Sequence, residues 1–239
     1  RLRTIATRGD TPVLAMSIAT GALVALLIAG FEYLTDSVLL ERLSHRPLWQ
    51  IALAPAIGLL LATLILRWAG RGLGSATSDE FIRVYHERTP RLPLRNLPAK
   101  FLAGVATIGF GGALGLEGPS IYMGSTTGLA VHDRFRRWLR REDVRILLTA
   151  GAAAGVAAVF KAPATGVLFA LEAPYRDDVT RRALIPSLLA AATSYVTYIN
   201  IIGPDSVIPF LNDPESRLGL NLIDAPLFTE DGLVWIHRD

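Results

Sequence analysis

The chain has 239 residues, of which 51% are hydrophobic, and it contains 21 glycines and no cysteine. This composition is typical of membrane helices, and the absence of cysteine excludes disulfide frameworks and thiolate metal sites. The net charge of +3 comes from arginines gathered in linkers, a distribution that excludes the continuous basic stripe of a nucleic-acid-binding domain.

Apolar segments predict the helices of an all-α membrane protein. The first two, residues 12–34 and 48–69, have the roughly 20 residues needed to cross a bilayer. The short polar stretch between them predicts an antiparallel pair. Later segments are shorter or interrupted by Gly and Pro, and they cover residues 97–114, 119–131, 144–160, 164–171 and 184–202. Such interrupted segments bring helix ends to the middle of the bilayer in transporters.

Charge placement predicts the domain organisation and the orientation. Residues 1–202 are expected to form the membrane unit, and residues 203–239 a Pro- and Asp-containing external loop. Arginines concentrate before the first helix and in several linkers, so the positive-inside rule predicts a cytoplasmic N-terminus in a multi-pass protein of the cell membrane. The arginine cluster at 134–141 is either an ordinary solvated surface or a site for a lipid or another ligand.

A lone carboxylate, Glu117, lies between apolar segments. A carboxylate at membrane depth is costly and marks an ion or proton pathway. Pro119 predicts the first turn of a helix, which places Glu117 beside free backbone amides and the positive end of the helix dipole. These features indicate an anion site. The alternative is a carboxylate that only caps the helix.

Other motifs predict packing and exclude enzymatic chemistry. The two glycines of residues 151–155 are spaced for close approach of helix backbones. The histidines lie in linkers without ligand spacing, so no metal site is predicted. The apolar segments contain no nucleophile motif, and we predict neither an enzyme nor a bound cofactor.

Two ordered motifs resemble the CLC family of chloride channels and chloride/proton antiporters. Gly-Leu-Glu-Gly-Pro at 115–119 matches the family's Gly-x-Glu-Gly-Pro signature. Residues 150–172 are similar to its Gly-to-Phe-x-Ala-Pro stretch that leads into Leu-Phe-x-x-Glu. The resemblance covers residues 12–202 and implies the first half of an inverted-repeat fold with broken and tilted helices. It also implies a homodimer that conducts or exchanges chloride or a similar small anion.

The resemblance assigns the gate and one anion site. Glu117 matches the family's gating glutamate, which occupies an anion site when deprotonated and swings away when protonated. The backbone amides of Leu116, Glu117 and Gly118 are then expected to line that external site.

The resemblance also implies a hydroxyl ligand for a central anion. The family's serine loop corresponds to residues 74–79, so Ser75 is the candidate ligand. Because this loop departs from the family's pattern, Thr77 or Ser78 is an alternative donor. A further alternative is that these side chains only cap the following helix.

Ala173 is the main departure from the family's antiporters, which carry a second, proton-transferring glutamate directly after the one that Glu172 matches. Anion flux is therefore predicted to be uncoupled or loosely coupled to protons. Glu172 is the proton-pathway candidate if coupling is strict, and otherwise it only pairs with Arg176 at the membrane interface. Lys100 corresponds to a family lysine beneath the pathway, where a cation raises the local occupancy of anions.

Two functions remain open. The first is transport of a small anion through a pore gated by Glu117, and the second is a degenerate or scaffold membrane half-protein without transport. Chloride flux from reconstituted vesicles separates them. Because the family holds anions between helix ends of both halves, residues 1–239 alone are predicted to show no selective conductance.

Overall fold

The computed structural model describes residues 11–174 and 181–203, and every regular element within these ranges is helical. The elements in chain order are α1 (Thr11–Glu32), a π-helical continuation (Tyr33–Leu40), α2 (Glu41–Ser44), α3 (Leu48–Trp68), α4 (Ser78–His86), a 3₁₀ turn (Leu94–Asn96), α5 (Leu97–Gly109), α6 (Glu117–Phe135), α7 (Asp143–Phe160), α8 (Pro163–Glu172) and α9 (Arg181–Ile202). The predicted all-α fold is confirmed. Residues 1–10 and 204–239 lie outside the described residues, and so do the orientation and loop predictions that depend on them.

Within the described residues, four helical stretches are long and apolar enough to cross a membrane: residues 11–44, α3, α7 and α9. The prediction of a polar turn over residues 35–47 is wrong for most of its length, because the chain stays helical to Ser44. No Gly or Pro interrupts residues 33–44. The Thr35 hydroxyl donates a 2.9 Å hydrogen bond to the Phe31 carbonyl oxygen, a helix-compatible bond that the hydropathy pattern does not reveal.

Helices α1, α7 and α9 run parallel and end together. Tyr198, near the end of α9, donates a hydrogen bond to the Glu32 carboxylate at the end of α1. The Lys161 ammonium nitrogen, directly after α7, lies 5.9 Å from the centre of the Tyr198 ring. At the opposite end, Arg182 and Glu142 form a 3.0 Å ion pair. The arginines in the first turn of α9 and those that precede α7 therefore share one end of the bundle.

The backbones of α6 and α7 touch where they cross. A Cβ built on Gly124 would overlap the carbonyl group of Gly151, and the converse also holds. A Cβ on Gly155 would likewise overlap the Ser120 carbonyl oxygen. Only glycine permits this separation. The close backbone contact predicted for residues 151–155 is confirmed, and its partner is α6.

Helix α7 is the centre of the bundle, since every residue from Ile146 to Val159 is buried. By contrast, α3 buries only Ala54, Gly58 and Ala62. The buried α7 holds α6 in place through the glycine contacts. It therefore fixes the position of the α6 N-terminus, where Glu117 lies.

Candidate anion site

The N-termini of α4 and α6 meet at a cavity of about 540 Å³. The polar groups and glycines on its wall include Ser75, Thr77, Ser78, Lys100, Thr107, Glu117 and Gly118. The structure thus brings the predicted gate and the predicted hydroxyl ligands to one place. Leu116 is the N-cap residue of α6 and does not belong to this cavity wall.

Glu117 is the first residue of α6 and is half-buried. Its carboxylate folds over Gly115, where a built Cβ would overlap the carboxylate. The backbone carbonyl of Glu117 accepts a 2.8 Å hydrogen bond from the Ser120 hydroxyl. Within the described residues, the carboxylate itself forms no ion pair and no hydrogen bond. The alternative that Glu117 only caps α6 therefore has no support in the geometry.

Among the three candidate hydroxyls, that of Thr77 lies nearest to α6. A Cβ built on Gly118 would lie 2.5 Å from Oγ1 of Thr77 and 3.7 Å from Oγ of Ser78. Thr77 is the N-cap residue of α4, yet its side chain makes no capping hydrogen bond. Ser75 is the most exposed of the three. The geometry therefore favours the hydroxyl of Thr77 over that of Ser75 as the candidate anion ligand. It gives no support to a capping role for Thr77.

Lys100 is buried and is surrounded by acceptors. Its ammonium nitrogen donates to the carbonyl oxygen of Gly74 at 2.6 Å and to that of Ala76. It also lies 3.4 Å from the Glu80 carboxylate and 5.0 Å from the centre of the Tyr122 ring. The lysine therefore fixes the loop that carries the hydroxyls. Its charge is compensated by Glu80, which lowers the effect that Lys100 can have on the local occupancy of anions.

Several of these residues were not predicted from the sequence. Glu80 and Tyr122 surround Lys100, but their positions along the chain give no sign of that contact. Glu32 is a second carboxylate within the apolar first segment, and it is bonded to Tyr198 instead of lining the Glu117 cavity. Glu32 could have been singled out from the sequence, because an acidic residue inside an apolar segment indicates a functional or paired carboxylate.

Glu172 does not join the other predicted site residues. It is the last residue of α8, is exposed, and is absent from the cavity wall. Arg176, its predicted partner, lies outside the described residues. Ala173 packs, half-buried, against the buried apolar cluster of α4, α6, α7, α8 and α9. No carboxylate therefore stands at the position after Glu172.

Comparison with known proteins identifies the family. The family model described as voltage gated chloride channel matches residues 57–229, which is more than half of the chain. This chain belongs to that family. The membership confirms the resemblance found in residues 115–119 and 150–172.

Relatives within the voltage gated chloride channel family include exchange transporters. The chain is 34% identical over 241 residues to the H(+)/Cl(-) exchange transporter ClcA of Vibrio cholerae serotype O1, covering 93% of this chain and 50% of the relative. It is 30% identical over 253 residues to ClcA of Yersinia pseudotuberculosis serotype IB, covering 98% and 52%. The chain thus spans about half the length of the curated relatives it matches.

Two solved structures of the family share the fold. One is a slow cyanobacterial Cl⁻/H⁺ antiporter, with a TM-score of 0.67 and 27% identity over 82% of this chain and 48% of that one. The other is a CLC-type fluoride/proton antiporter, with a TM-score of 0.68 and 28% identity over 84% of this chain and 49% of that one. The predicted first half of a CLC-type fold is confirmed by these matches.

Proposed function

We propose that the whole protein moves chloride or a similar small anion across the cell membrane, with Glu117 as the gate. The observation that carries this proposal is the cavity shared by the N-termini of α4 and α6. Helix N-termini present free N–H groups and a positive dipole end, both of which favour an anion. The hydroxyl of Thr77 supplies a further donor between them.

The gate acts through its charge. A deprotonated Glu117 carboxylate is a tethered anion that competes with chloride for the donors at the helix ends. Protonation removes that charge, and the neutral side chain leaves the site to the mobile anion. The absence of an ion pair to the carboxylate within the described ranges supports this role, because no neighbouring cation holds the side chain in one position.

Lys100 serves the site indirectly. Its hydrogen bonds to the Gly74 and Ala76 carbonyl groups hold the loop that precedes α4. Those bonds turn the loop carbonyl oxygens towards the ammonium group. The hydroxyls of the loop remain available to the cavity, where a carbonyl oxygen would repel an anion.

For coupling, we propose that anion flux is uncoupled or loosely coupled to protons. The named relatives are proton exchangers, but here Ala173 follows Glu172. A proton from the cytoplasm must then reach Glu117 through water or another acid. Strict antiport is the second candidate, with Glu172 as the replacement acid.

We further propose a homodimer with a cytoplasmic N-terminus. Arginines gather where α7 and α9 begin, at the end where α1 also begins. Short basic linkers are retained on the cytoplasmic side of membranes. The dimer rests on family membership alone.

Vesicles that contain the whole purified protein test the central proposal. We expect rapid efflux of chloride after a gradient is imposed, and far slower efflux of gluconate, a larger organic anion that tests the selectivity of the pathway. Vesicles without protein provide the baseline. Chloride efflux at that baseline would favour the scaffold function instead.

A further inference from the structure

A second cavity, of about 1410 Å³, lies at the C-terminal end of α6, away from Glu117. One wall comes from the linker between α4 and α5, and the other from the last turns of α6 together with the linker between α6 and α7. The charged lining consists of one carboxylate, that of Asp133, and seven arginines: Arg88, Arg91, Arg134, Arg136, Arg137, Arg140 and Arg141. This imbalance creates a strongly positive concave surface, which concentrates anions.

The arginines of this arginine cavity are largely uncompensated. Arg140 lies 3.8 Å from the Glu142 carboxylate. The other six form no ion pair with any carboxylate that the structure describes. The guanidinium groups of Arg134 and Arg137 lie 5.5 Å and 5.6 Å from the ring centres of Phe135 and Trp138. Aromatic stacking of this kind leaves the N–H edges of a guanidinium free to donate.

Hydrogen bonds hold the linker between α6 and α7 in place. The Asp143 carboxylate accepts a 2.7 Å hydrogen bond from the Arg140 backbone N–H. The buried His132 ring approaches the Arg140 carbonyl oxygen at 3.3 Å. Because both bonds fix the backbone of Arg140, this wall does not depend on a ligand for its shape.

The opposite wall is fixed to α7. Arg145 donates to the backbone carbonyl oxygens of Tyr85 at 3.0 Å and Glu87 at 2.8 Å. These residues lie immediately before Arg88, the first arginine of the second wall. The two walls are thus held at a set distance by a side chain that is not itself part of the cavity.

The arginine cavity lies at a membrane boundary. Val144, in the first turn of α7, belongs to its wall, and α7 is one of the helices long and apolar enough to cross a membrane. Trp138 is 58% exposed beside the cavity and stacks on Phe135 at 5.6 Å. Exposed tryptophan is typical of the headgroup region of a bilayer. Leu129, Leu139 and Val144 add an apolar portion to the lining.

We propose that the arginine cavity binds the phosphate group of an anionic phospholipid. Guanidinium groups donate paired hydrogen bonds to phosphate oxygens, and basic pockets between membrane helices bind lipid headgroups. The positive-inside rule explains why these linkers are basic. It does not explain why the arginines line a concave surface whose two walls are held in place. The apolar lining and the position at the membrane boundary favour a lipid over a free phosphate. The proposal is independent of anion transport.

A triple variant removes charge from both walls: Arg91→Gln, Arg136→Gln and Arg141→Gln. None of the three stacks on an aromatic ring in the structure. The whole protein in dodecyl maltoside micelles is titrated with phosphatidylglycerol, and bound lipid is counted by native mass spectrometry. We expect saturable binding to the unmodified protein and an affinity at least about tenfold lower in the triple variant, since three charge-assisted donors are lost.

A matched control removes the same number of exposed arginines outside the cavity: Arg42→Gln, Arg46→Gln and Arg67→Gln. Its affinity for phosphatidylglycerol should change less than about twofold, because screened distant charges contribute little. Equal losses in both triple variants, or unchanged binding in the cavity variant, would overturn the proposal.

Two further measurements use the unmodified protein and therefore do not depend on how the variants fold. Phosphatidylcholine, which carries no net charge, should bind much more weakly than phosphatidylglycerol. Sodium pyrophosphate should neither bind at comparable concentration nor displace the lipid. Equal binding of the two lipids would overturn the site, and pyrophosphate binding in place of the lipid would overturn its assignment to a membrane ligand.

Discussion

The hydroxyl of Thr77 and the α-carbon of Gly118 face each other where α4 and α6 begin. A methyl group at Gly118 would lie 2.5 Å from Oγ1 of Thr77, well inside the contact distance of carbon and oxygen. Glycine at this position therefore lets Thr77 keep its present rotamer, and the φ angle of Gly118 is not positive. The absence of a side chain at position 118 thus leaves the space between the two helix N-termini open, where we propose the anion binds.

Gly118→Ala should displace the Thr77 hydroxyl from its present rotamer and lower both stability and chloride flux. We expect a loss of about 1 kcal/mol in the free energy of unfolding, the cost of an unfavourable rotamer. Thr77→Ala removes the contact, so Gly118→Ala should cost less in that background. Thermal unfolding of the four proteins in detergent measures the coupling. Strictly additive losses would show that the two residues do not interact.

Glu117→Gln should abolish the pH dependence of anion flux. The neutral amide cannot compete with the anion, so the variant should conduct at neutral pH as the native protein does in acid. Chloride efflux from vesicles across a pH series measures the effect. Glu41→Gln serves as a control, since Glu41 is exposed and lies outside the Glu117 cavity. A native pH profile in the Glu117 variant would refute the gate.

Hydropathy predicted the helices well because burial in lipid or protein constrains long segments directly. The segments at 48–69 and 144–160 agree closely with α3 and α7. The expectation of a polar turn was wrong from Thr35 to Ser44, which no Gly or Pro interrupts. Asp36, Ser37 and Glu41 are exposed along this helix, whereas Thr35 is buried. A polar stretch does not by itself end a helix, so polarity alone did not predict where this helix ends.

The site was only partly predictable. The signature at 115–119 gave Glu117 and Gly118, because helix N-termini need particular local residues. The choice among Ser75, Thr77 and Ser78 depends on the angle between α4 and α6, which no local pattern encodes. The Glu80 carboxylate beside Lys100 and the Tyr198 hydroxyl beside Glu32 arise from packing between distant segments.

Lys100→Met should destabilise the protein by about 3 kcal/mol. The substitution leaves the carbonyl groups of Gly74 and Ala76 and the Glu80 carboxylate without their cation. Arg83→Met is the matched control, because Arg83 also approaches Glu80, at 3.7 Å, but is exposed. Its cost should stay under about 1 kcal/mol. Similar unfolding temperatures for both variants would contradict the role of Lys100 in fixing the loop.

Gly151→Ala should weaken the contact between α6 and α7. The added methyl group overlaps the Gly124 carbonyl, so the helices must separate, at a cost of about 2 kcal/mol. Gly30→Ala in α1 is the control, since no atom lies within 4 Å of its built Cβ. Alanine there should be neutral or stabilising, by up to about 1 kcal/mol. The comparison is made by thermal unfolding, and equal behaviour of the two variants would argue against the close contact.

Vesicles under a chloride gradient test coupling in the whole protein. With Ala173 after Glu172, we expect little proton movement, or movement without a constant ratio to chloride. A pH electrode follows the protons while chloride is recorded in parallel. Uphill proton transport at a constant ratio would contradict the prediction, and its loss in Glu172→Gln would then identify Glu172 as the acid.

The contact between Gly124 and Gly151 also restricts how Glu117 can move. Helix α6 has 19 residues and is about 28 Å long. Turning it against α7 would bring a residue with a side chain to the place of Gly124, where a Cβ has no room beside the Gly151 carbonyl group. We therefore expect the two helices to move together, with Glu117 at the tip of α6. Torsions of the Glu117 side chain are then the expected way to lift the carboxylate from Gly115. Such torsions are fast compared with collective helix motion, so the arrival of a proton would set the pace of opening.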